Sequence, residues 1–143
     1  MQVSVLLLAK GSNVVTVAPD VSTTTVVGVL AQHGIGAVVV SVDGLRIDGV
    51  LSERDVVRAL GSHGPAALEE PVSRWMTREV VSCGPDTTVE QLMTTMTERR
   101  IRHVPVVVNG ELAGVISIGD VVKDRISTLE YETEVLHQYI ANP

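Results

Sequence analysis

The hydrophobic pattern of the chain switches between valine-rich runs and apolar residues at helical spacing. Valine-rich runs predict strands, because β-branched side chains pack well on a pleated surface. Such runs pair across a short turn in each half of the chain, at 37–42 with 47–51 and at 104–108 with 112–117. Asn109-Gly110 between the second pair favours a type I′ turn. Each half is therefore predicted to contain one β-hairpin.

The segments before each hairpin have the apolar spacing of amphipathic helices, at i, i+3, i+4 and i+7. These positions are Val89, Leu92, Met93 and Met96 in the second half, and Val26, Val27 and Leu30 in the first. Thr87 and Glu90 are predicted to form a capping box. A second helix is predicted to follow each hairpin, beginning at Ser52 or Ser117. Short helices over 3–9, ended by Gly11, and over 71–76 are predicted ahead of the two halves.

The two halves repeat the same order of elements. Residues 14–20 resemble residues 80–86, and residues 49–58 resemble residues 114–123. The repeat predicts an α/β (α+β) fold of two β-α-β-β-α units related by a pseudo-twofold axis, with a short N-terminal helix and a C-terminal helix. The predicted boundaries are 1–62 for the first unit, 63–76 for a linker and lead-in helix, and 77–143 for the second unit. Two such units facing each other would leave clefts between them.

The composition limits the classes of function. The net charge of −6 argues against a nucleic-acid binder, which needs a basic surface. No apolar run approaches the roughly 20 residues that cross a bilayer, so no membrane association is expected. Cys83 is the only cysteine, which excludes an intrachain disulfide and fits a cytoplasmic protein. The 4 histidines share no metal-ligand spacing, so no metal site is predicted.

A Gly-h-h-Ser-x-x-Asp motif, in which h is apolar, occurs after the hairpin of each half. It ends in Ser52 and Asp55 in the first half, and in Ser117 and Asp120 in the second. One explanation is a capping box, which serves only the helix. The other is ligand binding, because a helix N-terminus and a serine hydroxyl attract phosphate, while an aspartate one turn later can accept hydrogen bonds from ribose. The second explanation describes a phosphorylated nucleoside.

These features resemble cystathionine-β-synthase (CBS) domains, paired as a Bateman module. The resemblance rests on the strands that run into Pro19 and Pro85, on residues 35–40 and 101–106, and on the two motifs. It covers nearly the whole chain, which is also similar to stand-alone bacterial proteins of two CBS domains. The resemblance implies an adenosine-containing ligand, namely AMP, ADP, ATP, NAD(H) or S-adenosylmethionine, and no required cofactor. It also implies a module that dimerises into a flat disc.

In the family, the serine and aspartate of one unit act together with strands of the other, which implies two ligand sites. The first implied site comprises Ser52, Arg54, Asp55, Glu79, Val80, Val81, Ile101, Arg102 and His103. The second comprises Ser12, Asn13, Val14, Ile35, Gly36, Ala37, Ser117 and Asp120. Val80 and Val14 would flank the adenine. Side-chain cations are expected only at the first site, which should therefore bind phosphate more tightly.

We expect a regulatory module that binds an adenine nucleotide, forms a homodimer and acts on an unknown downstream protein. No catalytic residues are predicted, because no nucleophile with an adjacent base is visible. The alternative is a ligand-free module for protein interaction or structure. Apolar residues at the 4-3 spacing of a coiled coil follow the second motif and predict a helix that packs on its own or on a partner module. They are Val122, Ile126, Leu129, Leu136 and Ile140, with Thr133 completing the spacing.

Overall fold

The structure is a computed structural model that describes residues 1–11 and 13–142. The helices are α1 (Val3–Lys10), α2 (Thr23–His33), α3 (Glu53–His63), α4 (Val89–Arg99) and α5 (Ile118–Ala141), and two 3₁₀ helices span Gly64–Glu69 and Val72–Arg74. The strands are β1 (Thr16–Val17), β2 (Ala37–Val40), β3 (Gly49–Ser52), β4 (His103–Val108) and β5 (Glu111–Ser117). The predicted mixed fold with a short N-terminal and a C-terminal helix is confirmed. No helix within the described residues is long and apolar enough to span a membrane.

Each unit is built on an antiparallel hairpin, β2–β3 in the first and β4–β5 in the second. Both turn residues of the second hairpin have positive φ, 53° at Asn109 and 78° at Gly110, as a type I′ turn requires. Strand β1 adds to the first hairpin in parallel with β2. The corresponding segment of the second unit forms only a single parallel bridge, between Cys83 and Val106. The strand predicted there is therefore reduced to one ladder position.

The predicted capping box at Thr87 and Glu90 is wrong by one position. Thr88 is the N-cap of α4, and its side chain and that of Gln91 bond reciprocally to each other's backbone amides. The Thr87 hydroxyl instead accepts a hydrogen bond from the Gly84 amide at 3.2 Å and closes the preceding turn. Two adjacent threonines can both cap, and the turn at Gly84 decides between them.

The two units exchange the segments that precede them. Val3 and Leu6 of α1 are buried in the core of the second unit, with Leu92, Met96 and Ile116. The Val3 amide donates to the Thr87 carbonyl at 2.8 Å, which fixes α1 to the start of α4. The helix that precedes the first unit in the sequence therefore completes the core of the second.

The lead-in segment of the second unit packs, in turn, on the first. Val72 and Met76 are buried in the core that contains Val26, Val38 and Leu51. The Val72 amide donates to the Val21 carbonyl at 2.9 Å. Each core therefore contains the segment that precedes the other unit, and the two units are joined through their cores.

Helix α5 is the longest element, with 24 residues. Only Val121 is buried among them, because the helix leaves its own unit after the first turns. The predicted apolar seam is half-exposed along its length, from 46% at Leu129 to 66% at Ile140. The seam is thus a regular apolar surface with no covering element among the described residues.

Candidate functional site

Two clefts lie between the units, one at each Ser-x-x-Asp motif. The first cleft encloses about 200 Å³ and the second about 500 Å³. Each is walled by the motif of one unit and by the strand entries of the other. This arrangement follows from the internal repeat, since a pseudo-twofold axis places the N-terminus of each post-hairpin helix opposite the other hairpin.

The first cleft brings together all nine residues that the sequence predicts for it. They are Ser52, Arg54, Asp55, Glu79, Val80, Val81, Ile101, Arg102 and His103. Neighbouring residues of a regular strand face opposite sides, which would bring only one of Arg102 and His103 into the cleft. Both line it, because β4 begins at His103 and Arg102 lies in the preceding bend. Whether these residues contact a ligand remains a prediction.

The second cleft brings together the predicted residues that lie within the described part of the chain. They are Asn13, Val14, Ile35, Gly36, Ala37, Ser117 and Asp120. Ser12, which belongs to the same prediction, lies outside the described residues. A ligand role for this set likewise remains a prediction.

Both motifs form complete capping boxes. The Ser52 hydroxyl accepts from the Asp55 amide at 3.3 Å, and Asp55 Oδ2 accepts from the Ser52 amide at 2.9 Å and from its hydroxyl at 3.1 Å. Ser117 and Asp120 repeat this arrangement, with 3.2 Å, 2.8 Å and 2.9 Å. The capping explanation of the motif is therefore correct. It leaves Oδ1 of each carboxylate to make other contacts, so capping and ligand binding are compatible.

The first amide of each capped helix is also occupied. The Glu53 amide donates to the Gly36 carbonyl at 2.9 Å, and the Ile118 amide donates to the Arg102 carbonyl at 2.8 Å. The second amide of each helix, from Arg54 or Gly119, has no acceptor within the described residues. One backbone donor per cleft thus remains for an anion, fewer than a bare helix N-terminus would offer.

The expectation that only the first site has side-chain cations is wrong. Lys10 Nζ, at the end of α1, lies 2.6 Å from Asp120 Oδ2 and 2.6 Å from the Val115 carbonyl in the second cleft. Burial alone would raise the pKa of Asp120, but the hydrogen bonds from Lys10 and Ser117 outweigh it and lower the pKa below its ordinary value. The position of Lys10 could not be predicted from the sequence, because α1 packs on the unit that it does not precede.

His103 lies where the two clefts meet, and it lines both. A Cβ added at Gly36 would lie 3.1 Å from Cε1 of the imidazole, so the ring packs directly on the glycine. Burial lowers the pKa of His103, and the positive charges of Lys10 and Arg102 lower it further, against the opposing effect of Glu53 and Asp120. These effects together favour the neutral imidazole at His103.

A comparison with protein-family models identifies the family to which this two-cleft fold belongs. The model of the CBS domain matches residues 10–62 and 72–126, one match for each unit. The chain belongs to the CBS domain family. The two matches cover most of the chain and agree with the repeat of secondary structure.

Relatives of this CBS pair are found in bacteria and plants. A crystal structure of a CBS-domain protein of Agrobacterium tumefaciens has 52% sequence identity and a TM-score of 0.85, over 87% of this chain and 99% of that one. A mitochondrial CBS domain-containing protein of Arabidopsis thaliana, CBSX3, is 35% identical over 115 residues. That match takes in 78% of this chain but only 56% of the plant protein.

A more distant solved structure shares the CBS-pair fold. The CBS domain pair of protein MJ0100, determined in complex with 5-methylthioadenosine and S-adenosyl-L-methionine, has a TM-score of 0.79. It is 20% identical and covers 90% of this chain and 98% of its own. At this identity the likeness concerns the fold alone.

Six residues of the first cleft were not predicted from the sequence. They are Gly36, Val50, Glu53, Arg58, Thr77 and Arg100. Arg100 ends α4 in the left-handed conformation, with φ of 54°, where the first CBS unit has Gly34 with φ of 62°. A non-glycine residue in this conformation is uncommon and points to a constraint. The internal repeat could have indicated that Arg100 is special, because this arginine stands where a glycine usually ends a helix in this way.

Proposed function

We propose that this CBS pair is a regulatory module that binds adenine nucleotides in the two clefts between its units and catalyses no reaction. The observation that carries the proposal is the pairing within each cleft. The capping serine and aspartate of one unit face the strand entries of the other, so a ligand in either cleft would bridge both units. Such a ligand changes how the units are held together, which is what a sensor requires.

The chemistry of the first cleft suits the three parts of a nucleotide. Val80 and Val81 offer an apolar wall for a base, and Asp55 Oδ1 is available to ribose hydroxyls beside a weak contact from Thr77 Oγ1 at 3.4 Å. Arginine side chains at the cleft suit phosphate, since charge-assisted hydrogen bonds are about twice as strong as neutral ones. They are Arg54, Arg58, Arg100 and Arg102.

The ligand class is an adenosine compound, with AMP, ADP, ATP, NAD(H) and S-adenosylmethionine as members. The related pair in MJ0100 was solved with two adenosine compounds, which supports the class. The arginines of the first cleft favour a phosphorylated member there. In the second cleft the larger volume and the paired Asp120 favour a bulkier or less anionic member.

Thermal shift against these nucleotides tests the proposal, because a ligand that binds only the folded state at 100 times its Kd adds about 2.7 kcal/mol of stability. We expect stabilisation by at least one adenosine compound and none by the matching pyrimidine nucleotide. A 2′,3′-dideoxy analogue should bind more weakly, since a hydrogen bond to a charged acceptor contributes roughly 1.5–3 kcal/mol. No stabilisation by any member of the panel at millimolar concentration would contradict the proposal.

We further propose that the module is a cytoplasmic homodimer that signals to a separate protein. The apolar seam of α5 supports self-association, since five of its large side chains are exposed without a covering element among the described residues. Light scattering at micromolar concentration should give the mass of a dimer. A variant with Ile126→Glu and Leu129→Glu should be monomeric, whereas exchanging the exposed Lys123 for Glu should leave the mass unchanged.

The seam also favours a second candidate function, that of a protein-interaction module whose clefts stay empty. Both motifs are fully used as caps, so neither cleft needs a ligand to satisfy its serine. An adenine absorbance in the purified protein, identified by mass spectrometry after denaturation, would exclude this candidate. Protein free of nucleotide that also gives no thermal shift would favour it.

A further inference from the structure

The two clefts share one wall. Five residues line both of them, namely Gly36, Val50, Glu53, Arg102 and His103. Within this wall the His103 ring packs on Gly36, where an added Cβ would lie 3.1 Å from Cε1 and 3.2 Å from Nε2 of the imidazole. Ligands in the two clefts would therefore meet the same residues from two sides.

The positively charged side chains around the clefts fall into two groups, those that line one cleft alone and those that line both. Arg54, Arg58 and Arg100 line the first cleft alone. Lys10 lines the second alone, and its ammonium is already bonded to Asp120 and to the Val115 carbonyl. Arg102 is the cation on the shared wall, where its exposed side chain makes no recorded hydrogen bond to the described residues.

We propose that the two clefts are coupled through this wall, so that two anionic ligands bind with negative cooperativity. The inference rests on the proposed function and concerns its regulation. Arg102 can place its guanidinium against the phosphate in one cleft or in the other. The first anion to bind takes the shared cation, and the second binds without it and against the charge of the first. A neutral ligand has no phosphate to pair with Arg102, so two neutral ligands should bind the clefts independently.

Calorimetry with AMP on three proteins measures the coupling. The wild type has both clefts, while Val80→Trp fills the base wall of the first and Val14→Trp that of the second. We expect the second AMP to bind the wild type at least about fivefold more weakly than it binds the corresponding one-cleft variant, the lower end of usual coupling between sites. Adenosine should give a wild-type titration equal to the sum of the two variants.

The Arg102→Gln variant separates sharing of the cation from other causes. It should weaken the first AMP step of the wild type and leave the second unchanged, and this test does not depend on the tryptophan variants folding. Arg58→Gln is the matched control, because it removes a cation of the first cleft alone. It should weaken AMP in that cleft to the same extent whether or not the second is filled.

Three results would overturn the coupling. These are AMP steps in the wild type that equal the one-cleft values, a coupling that is the same for adenosine and AMP, and an equal loss in both steps with Arg102→Gln. Complete absence of AMP binding would overturn the proposed function as well. Two independent binding steps would overturn the coupling alone.

Discussion

The two clefts share the same pattern of capping and backbone hydrogen bonds, but they differ in their charged side chains. In both, a serine caps a helix, an aspartate completes the box, and the carbonyl just before the first strand of the same unit's hairpin accepts from the first helical amide. The first cleft adds three arginines of its own, whereas the second adds one lysine that is already paired with Asp120. Duplication of a unit therefore preserves the hydrogen bonds that the fold needs, while the cleft charges are free to differ.

The difference originates in the two lead-in segments. Before the second unit, the chain makes reciprocal backbone bonds between Val50 and Thr77, at 2.9 Å and 3.0 Å. Before the first unit, α1 is a regular helix, and it sends Lys10 Nζ to the Val115 carbonyl instead. A side chain thus replaces a backbone bridge and brings a positive charge to the second cleft.

The glycines that open the two motifs give the largest expected effect. A Cβ at Gly49 would lie 2.6 Å from Met76 Sδ and 2.9 Å from the Thr77 carbonyl, whereas the three atoms nearest to a Cβ at Gly114 all belong to the Leu7 side chain, the first at 2.5 Å. Gly49→Ala should cost about 2–3 kcal/mol and Gly114→Ala about 1 kcal/mol, because backbone yields less than a side-chain end. Urea denaturation measures both free energies of unfolding.

The double variant Gly114→Ala with Leu7→Ala is the control for this comparison. Truncation of Leu7 removes the clash, so the added alanine should cost less in the double variant than in the wild type. Equal costs for the two single substitutions would contradict the idea that the Thr77 carbonyl makes the first junction the tighter one.

Lys10→Met tests the asymmetry of charge with a smaller effect. The ion pair with Asp120 is partly exposed, so its loss should cost at most about 1 kcal/mol at pH 7. Because the pKa of Asp120 is lowered in the folded state, this stabilisation is present above the unfolded pKa of about 3.9 and is lost as the pH falls through the folded value. The cost should therefore shrink on acidification.

Lys123→Met is the control for Lys10→Met, since Lys123 is exposed on α5 and has no ion pair recorded among the described residues. Thermal melts at pH 7 and at pH 3 compare the two variants. A cost of Lys10→Met that does not change between these pH values would mean that the ammonium stabilises through the Val115 carbonyl alone.

Local signals made most of the fold predictable. Asn109-Gly110 predicted its turn, and Ser52 and Ser117 predicted two helix starts, because turn and cap preferences act within a few residues. The adjacent Thr87 and Thr88 show the limit of such signals, since the choice of cap depends on a turn at Gly84. The repeat and the family pattern together located the nine residues of the first cleft.

What the sequence did not reveal depends on contacts distant in the chain. The place of Lys10 in the second cleft follows from the packing of α1 on the second unit, more than 100 residues away, with a separation of 110 to Asp120. Arg100 belongs to a short basic run with Arg99 and Arg102, and such a run is usually a solvent-exposed surface. The alignment of the two repeats nevertheless places Arg100 at the position of Gly34. Only a comparison of the two repeats shows that a charged residue has replaced a helix-ending glycine, because the local helix propensities do not reveal it.

The pH dependence of AMP affinity is the smallest of the expected effects, and it tests whether the shared wall responds to an anion. The His103 ring is faced by Lys10 from α1, Glu53 from α3, Asp120 from α5 and Arg102 from its own segment. Burial first, and then the nearby cations, lower the pKa of His103 in the free protein. A phosphate beside the ring adds a negative charge, which raises that pKa, so binding should be accompanied by proton uptake. AMP affinity should consequently rise a few-fold as the pH falls from 8 to 6.5, less than the tenfold that one full pKa unit represents.

Calorimetry in buffers of different ionisation enthalpy measures the proton uptake directly. Adenosine, which lacks the phosphate, should show no such dependence, and His103→Gln should abolish the dependence for AMP. An unchanged pH dependence in His103→Gln would assign it to the phosphate of AMP itself, whose second pKa is about 6, and would leave the imidazole without a part in anion binding.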